Sequence, residues 1–73
     1  MPDLYPIEKA DWFEVDYYSG KHIIRTEKFK FIEDLKEALS IPLELYDCSL
    51  AVPYTVYDEG KTTVRFPFNP YEV

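Results

Sequence analysis

The chain has 73 residues, of which 14 are Asp or Glu and 8 are Lys or Arg, for a formal net charge of −6 with 47% hydrophobic and 18% aromatic residues. That length supports one domain with one thin core, and the acid excess argues against nucleic acid and anionic membranes as direct partners, because phosphate binding needs clustered Lys and Arg. The apolar content argues against disorder, no run approaches the ~18 apolar residues of a membrane span, and the single cysteine, Cys48, excludes an internal disulfide.

The opening Met1-Pro2-Asp3-Leu4-Tyr5-Pro6 has neither a basic nor an apolar leader region, so a soluble, untargeted, cytoplasmic protein is expected. Residues 1–10 read as an extended segment, 11–68 as the domain and 69–73 as a tail. From Asp11 to Tyr18 the residues alternate, with Phe13, Val15 and Tyr17 on one side and Trp12, Glu14, Asp16 and Tyr18 on the other, the period of a half-buried strand. A two-residue Ser19-Gly20 loop then pairs Tyr18 with Lys21, Tyr17 with His22, Val15 with Ile24, Glu14 with Arg25 and Phe13 with Thr26. This register sets Val15 against Ile24 in the core and Glu14 against its counterion.

The period next becomes helical: Phe31, Ile32, Leu35, Ala38 and Leu39 share one side of a helix, with Lys30, Glu33, Asp34 and Glu37 opposite. Pro42 ends it, and its first turn is expected between Thr26 and Phe29. After a linker through Pro42-Leu43-Glu44-Leu45 a second hairpin follows. A three-residue Asp58-Glu59-Gly60 loop pairs Tyr57 with Lys61, Val56 with Thr62, Tyr54 with Val64, Val52 with Phe66 and Leu50 with Phe68, which makes one face almost wholly apolar. Pro53 and Pro67 lack backbone donors and so belong at edges or strand ends.

The resulting fold class is α+β, order ββαββ, a four-stranded antiparallel sheet from two hairpins with one helix packed on one face. The other sheet face is expected to stay open, presenting Trp12, Glu14, Asp16, Tyr18 and Ile23 from the first hairpin and Ala51, Pro53, Thr55 and Tyr57 from the second.

Candidate chemistry is sparse. His22 sits near a hairpin end beside Tyr17 and reads as structural, and Cys48 follows Asp47, whose charge discourages thiolate formation. One His and one Cys cannot close a zinc tetrahedron, and Asp58-Glu59-Gly60 lacks the alternating oxygen ligands of a calcium loop, so neither a metal nor another cofactor is expected. Glu14 and Asp16 stand ~6.5 Å apart along a strand, a spacing known from acid–base pairs, but a flat sheet offers no cleft for a sugar.

What remains is a surface for another protein. Acids steer encounter with a basic partner, and Trp12, Tyr18, Ile23 and Tyr57 supply aromatic and aliphatic contact, joined by Glu33, Asp34 and Glu37 on the helix. Trp12 has two equally weighted fates, contact with a partner or coverage by the chain's own Leu4-Tyr5-Pro6-Ile7 segment. The leading expectation is a non-enzymatic inhibitor of phage, mobile-element, antitoxin or immunity type, blocking a basic and possibly nucleic-acid-binding surface. Nucleic-acid mimicry is a sharper form of it, weakened by the interspersed Lys21, Arg25, Lys61 and Arg65. The alternative is a structural or regulatory subunit acting as a homodimer or within a larger complex.

Overall fold

A computed structural model describes residues 5–72. Two hairpins flank one helix: β1 (Trp12–Ser19), β2 (His22–Phe29), α1 (Ile32–Leu39), β3 (Leu50–Asp58) and β4 (Thr63–Pro67), with short 3₁₀ turns at Ile7–Lys9, Leu43–Tyr46 and Pro70–Glu72. All strands run antiparallel in one sheet of order β2-β1-β3-β4, so β1 is central and the two hairpins join along β1 and β3. This is the expected α+β ββαββ arrangement.

The alternation of β1 holds. Phe13, Val15 and Tyr17 are buried and pack with Leu35 of α1, while Ile7, Phe29, Ile32, Leu39, Tyr46 and Phe68 close around them. Strand β2 runs through Phe29, which overturns a first helical turn between Thr26 and Phe29. The helix begins at Ile32, with the Phe31 carbonyl accepting the Leu35 amide, because Phe29 is needed beside Phe13 in the ladder. Ser40 closes the helix on the carbonyls of Lys36 and Glu37, ahead of Pro42.

Both hairpin registers differ from those expected. In the first, Ser19 pairs with His22 and Tyr18 with Ile23, so the loop is Gly20-Lys21, with Gly20 at φ +63°. Glycine in the first central position suits a type II′ turn, whereas a Ser19-Gly20 loop of type I′ asks Ser19 to take positive φ as well. A bulge at Ile24 then shifts the ladder again, so that Tyr17 meets Arg25, Val15 meets Glu27 and Glu14 meets Lys28. His22 therefore sits opposite Ser19 and not Tyr17.

In the second hairpin Asp58 pairs with Thr63, Val56 with Arg65 and Tyr54 with Pro67, around a loop of residues 59–62. Gly60, at φ +92°, donates its amide to the Asp58 carboxylate at 2.9 Å, and the Glu59 amide reaches the Thr62 carbonyl at 2.9 Å. The β1–β3 ladder sets Phe13, Val15 and Tyr17 opposite Thr55, Pro53 and Ala51, and Trp12, Glu14, Asp16 and Tyr18 opposite Val56, Tyr54, Val52 and Leu50. Ala51, Pro53, Thr55 and Tyr57 thus lie on the helix side, and Tyr54 on the reverse, opposite to expectation for all five.

Both prolines fit this ladder. The Phe68 amide donates to the Pro53 carbonyl, so Pro53 turns its polar groups towards β4 beyond that strand's last paired residue. The same alternation turns the nitrogen of Pro67 to the outer edge, where a missing donor breaks no ladder bond. Because Leu35 is fully buried at the centre of the helix–sheet contact, Leu35→Ala is expected to cost about 2–5 kcal/mol. A fall in the urea midpoint at unchanged slope measures it.

Candidate functional site

The reverse face of the sheet carries no described helix or turn, yet its centre is closed by its own side chains. Arg65, on the outer strand β4, lies over the Tyr54 ring on β3 at 4.1 Å and reaches β1. There its Nη2 donates to Asp16 Oδ1 at 2.9 Å and its Nε pairs with Glu14 Oε1 at 3.1 Å. Thr26 of β2 donates to the same Asp16 oxygen at 2.8 Å, and Trp12 Nε1 donates to Glu14 Oε2 at 2.7 Å. Lys28 sits 4.0 Å from the centre of the Trp12 ring. Asp16 is 2% exposed and Val56 1% under this layer, so stems and rings lying flat on the strands do what a second helix would do elsewhere.

The nine side chains expected to form a docking face therefore separate. Glu14 and Asp16 are held by Arg65, and Trp12 is half-buried with its indole nitrogen satisfied. Tyr57 is buried on the helix side, its hydroxyl donating to the carbonyls of Tyr5 at 2.7 Å and Pro6 at 3.0 Å. The placement of Tyr57 on the open face is thereby corrected. Leu4 lies outside the described residues. Tyr5 covers Tyr57 and Phe66 and not Trp12, with ring centres 5.0 and 4.9 Å apart, and its hydroxyl donates to Glu59. Tyr18 and Ile23 stay on the reverse face, forming one row with Leu50; Ile23 and Leu50 are each 53% exposed.

The helical acids behave differently. Glu33, Asp34 and Glu37 are exposed, as are Glu44 and Asp47 in the following turn. Among the described residues the ion pairs are those of Arg65 with Glu14 and Asp16 and of Arg25 with Glu27, all on the sheet. The acids of α1 and the 3₁₀ turn thus have no ion-pair partner among the described residues. These two elements also supply Leu39 and Leu43 as walls of a mostly apolar groove of about 390 Å³, completed by Leu50, Ala51 and Pro53 of β3 and by Phe68, Asn69, Pro70 and Tyr71. Sequence reasoning missed this groove because its walls come from four separate segments, none of which signals it locally.

His22 is exposed, and Cys48 is half-buried with its thiol 3.6 Å from the Leu43 carbonyl. Among the described residues no group of three or more His, Cys, Asp or Glu is placed to hold a metal ion, and no helix is long and apolar enough to cross a membrane. Comparison of the chain with protein-family models, with curated proteins and with solved structures returns no match.

The electrostatics of the sheet give two expectations. Burial by itself would lower the Arg65 pKa, but the hydrogen bond and charge of Asp16, with Glu14, outweigh it and hold the guanidinium above its ordinary value. Arg65→Met keeps the stem but leaves buried Asp16 without its cation, at an expected cost of about 1–3 kcal/mol, and adding Asp16→Asn recovers part of that loss in a double-mutant cycle. Burial, with Tyr46 and Glu27 nearby, raises the Tyr17 phenol well above its ordinary 10.0, and burial with the Tyr18 hydrogen bond raises Tyr54. A phenol that ionises less readily when folded contributes stability in full below pH 10.0 and loses it as pH climbs further. The urea midpoint should therefore fall as pH rises above 10.0, while tyrosinate absorbance shows fewer phenols ionised in the folded than in the unfolded chain.

Proposed function

We propose that this protein is a non-catalytic binding module, a small cytoplasmic inhibitor of the anti-defence, antitoxin or immunity type, that docks on a basic surface of a partner protein. The observation that carries the reading is the set of exposed acids of α1 and the turn after it, Glu33, Asp34, Glu37, Glu44 and Asp47, without ion-pair partners among the described residues, on the two elements that also supply Leu39 and Leu43 to an apolar groove. Acids in this setting accelerate encounter with a cationic surface, and the adjoining apolar walls supply area that leaves water on contact. A surface that ordinarily holds nucleic acid has the required charge.

This reading moves the interface from the sheet to the helix. Glu14 and Asp16 already serve Arg65, and releasing them would leave a buried carboxylate without its cation. Affinity-tagged protein exposed to an extract of its native host is expected to retain a partner that the Glu33→Lys, Glu37→Lys double variant loses by about tenfold or more. Trp12→Ala, at a ring already covered by Lys28, is expected to retain it. Equal retention by the charge-reversed variant would refute the proposal.

A further inference from the structure

We infer that the groove is a strand-addition site for a short extended segment of a partner, apolar at its centre and flanked by Lys or Arg. The inference rests on the protein-binding reading above and names what that surface recognises.

The argument begins with the backbone of β3. The Tyr18 carbonyl accepts from Ser49 and the Val56 carbonyl from Asp11, so Tyr18 and Val56 turn their polar groups into the β1–β3 ladder. Successive residues of a strand alternate, so Ala51 and Pro53 turn theirs to the opposite edge. Strand β4 pairs with β3 only as far as Tyr54, and one further bond, from the Phe68 amide to the Pro53 carbonyl, ends the contact. The chain then leaves the sheet through the 3₁₀ turn at Pro70–Glu72, which packs against α1. Had β4 continued in register, the residue opposite Ala51 would be Pro70, which has no amide to give. The amide and carbonyl of Ala51 are left at an edge that β4 does not reach.

That edge opens into the groove. Ala51 is one of its walls, with Leu39 and Leu43 above and Tyr71 beside it. An extended peptide laid along Leu50–Val52 exchanges two hydrogen bonds with Ala51 and turns alternate side chains towards the helix side, where the groove is mostly apolar, with Asn69 the polar residue in its lining. Charge selects the flanks. Glu44 adjoins Leu43 and Glu72 adjoins Tyr71 in the chain; both are exposed, and neither has an ion-pair partner among the described residues. A basic segment meets two carboxylates there, and an acidic one is repelled. The exposure of Leu50 at 53% and Tyr71 at 62% continues the apolar surface past the groove's mouth.

The test uses the full chain and a capped synthetic peptide of Lys, Val, Leu, Val and Lys, with two counterparts: one with Glu at both Lys positions, and one N-methylated at the central Leu. Amide resonances of Ala51, Leu43 and Tyr71 are expected to shift with the basic peptide. The Ala51 amide, fast to exchange with solvent when free, is expected to become protected. Affinity should fall by about tenfold or more with either counterpart and with rising salt. Ala51→Pro removes only an outward donor, as Pro53 does naturally, and is expected to abolish peptide binding. Should packing around residue 51 not tolerate the ring, the N-methylated peptide tests the same bond from the other side. Undiminished binding of the N-methylated peptide, shifts confined to the reverse sheet face, or no binding at millimolar peptide overturns the inference. If a host partner is retained through Glu33 and Glu37 while the peptide leaves Ala51 unmoved, the groove falls and the acidic surface stands; loss of both removes the binding reading itself.

Discussion

Arg65 decides which acids of this protein remain available. From the outer strand it crosses Tyr54 and binds two carboxylates on the central strand, one of them almost fully buried. A sheet with a single helix has one face that no secondary element covers, and here a guanidinium, an indole and a lysine lie flat over that face. The gain is burial of Val56 beneath long side chains whose charged groups stay hydrogen-bonded, a way of covering apolar surface open to very small domains. The corollary is that Glu14 and Asp16 have become structural, and the acids left over are those that the sheet does not need.

The element types were legible because each rests on a periodicity that local sequence carries. Phe13, Val15 and Tyr17 alternate with Trp12, Glu14 and Asp16, and Leu35 and Ala38 mark the buried side of a helix. Registers rest on something else. Choosing the pairing that gathers the most apolar residues on one face assumes that the other face has no packing of its own. Val56 opposite Arg65 looks like a scattered core under that assumption, yet it is the observed pair, because the arginine lies along the sheet between Tyr54 and two acids. In the first hairpin the decisive fact was the position of Gly20 within its turn, since glycine as first central residue spares Ser19 a positive φ. The bulge at Ile24 has no local signature that separates it from ordinary strand.

These register differences changed the site more than the fold. A shift of one strand by an odd number of residues exchanges its two faces, so Tyr57 moved from a presumed docking surface to a bed for the N-terminal segment, and Ala51 moved under the groove. The helical acids were insensitive to register, because their exposure follows from the helix period and the position of Leu35 alone. Their exposure therefore involved no strand pairing, unlike the placement of Tyr57 and Ala51.

Two constraints on the second hairpin combine at the groove. Pro53 and Pro67 both need to keep their nitrogens out of the ladder, which fixes the outward parity of β3 and β4, and Pro70 cannot extend β4 past Phe68. The sheet edge at Ala51 is thus left unextended by the covalent structure of the chain. An unprotected edge invites unwanted pairing, and proteins usually blunt such edges with charge or a bulge, as Lys28 and the Ile24 bulge do on β2. At Ala51 the unextended stretch is short and lies in a recess, with Glu44 and Glu72 next in the chain to two of its walls, an arrangement that discourages a second copy of this acidic chain while leaving room for a basic segment. In the inferred strand addition, the acid excess of the chain would act as a filter on what this recessed edge accepts.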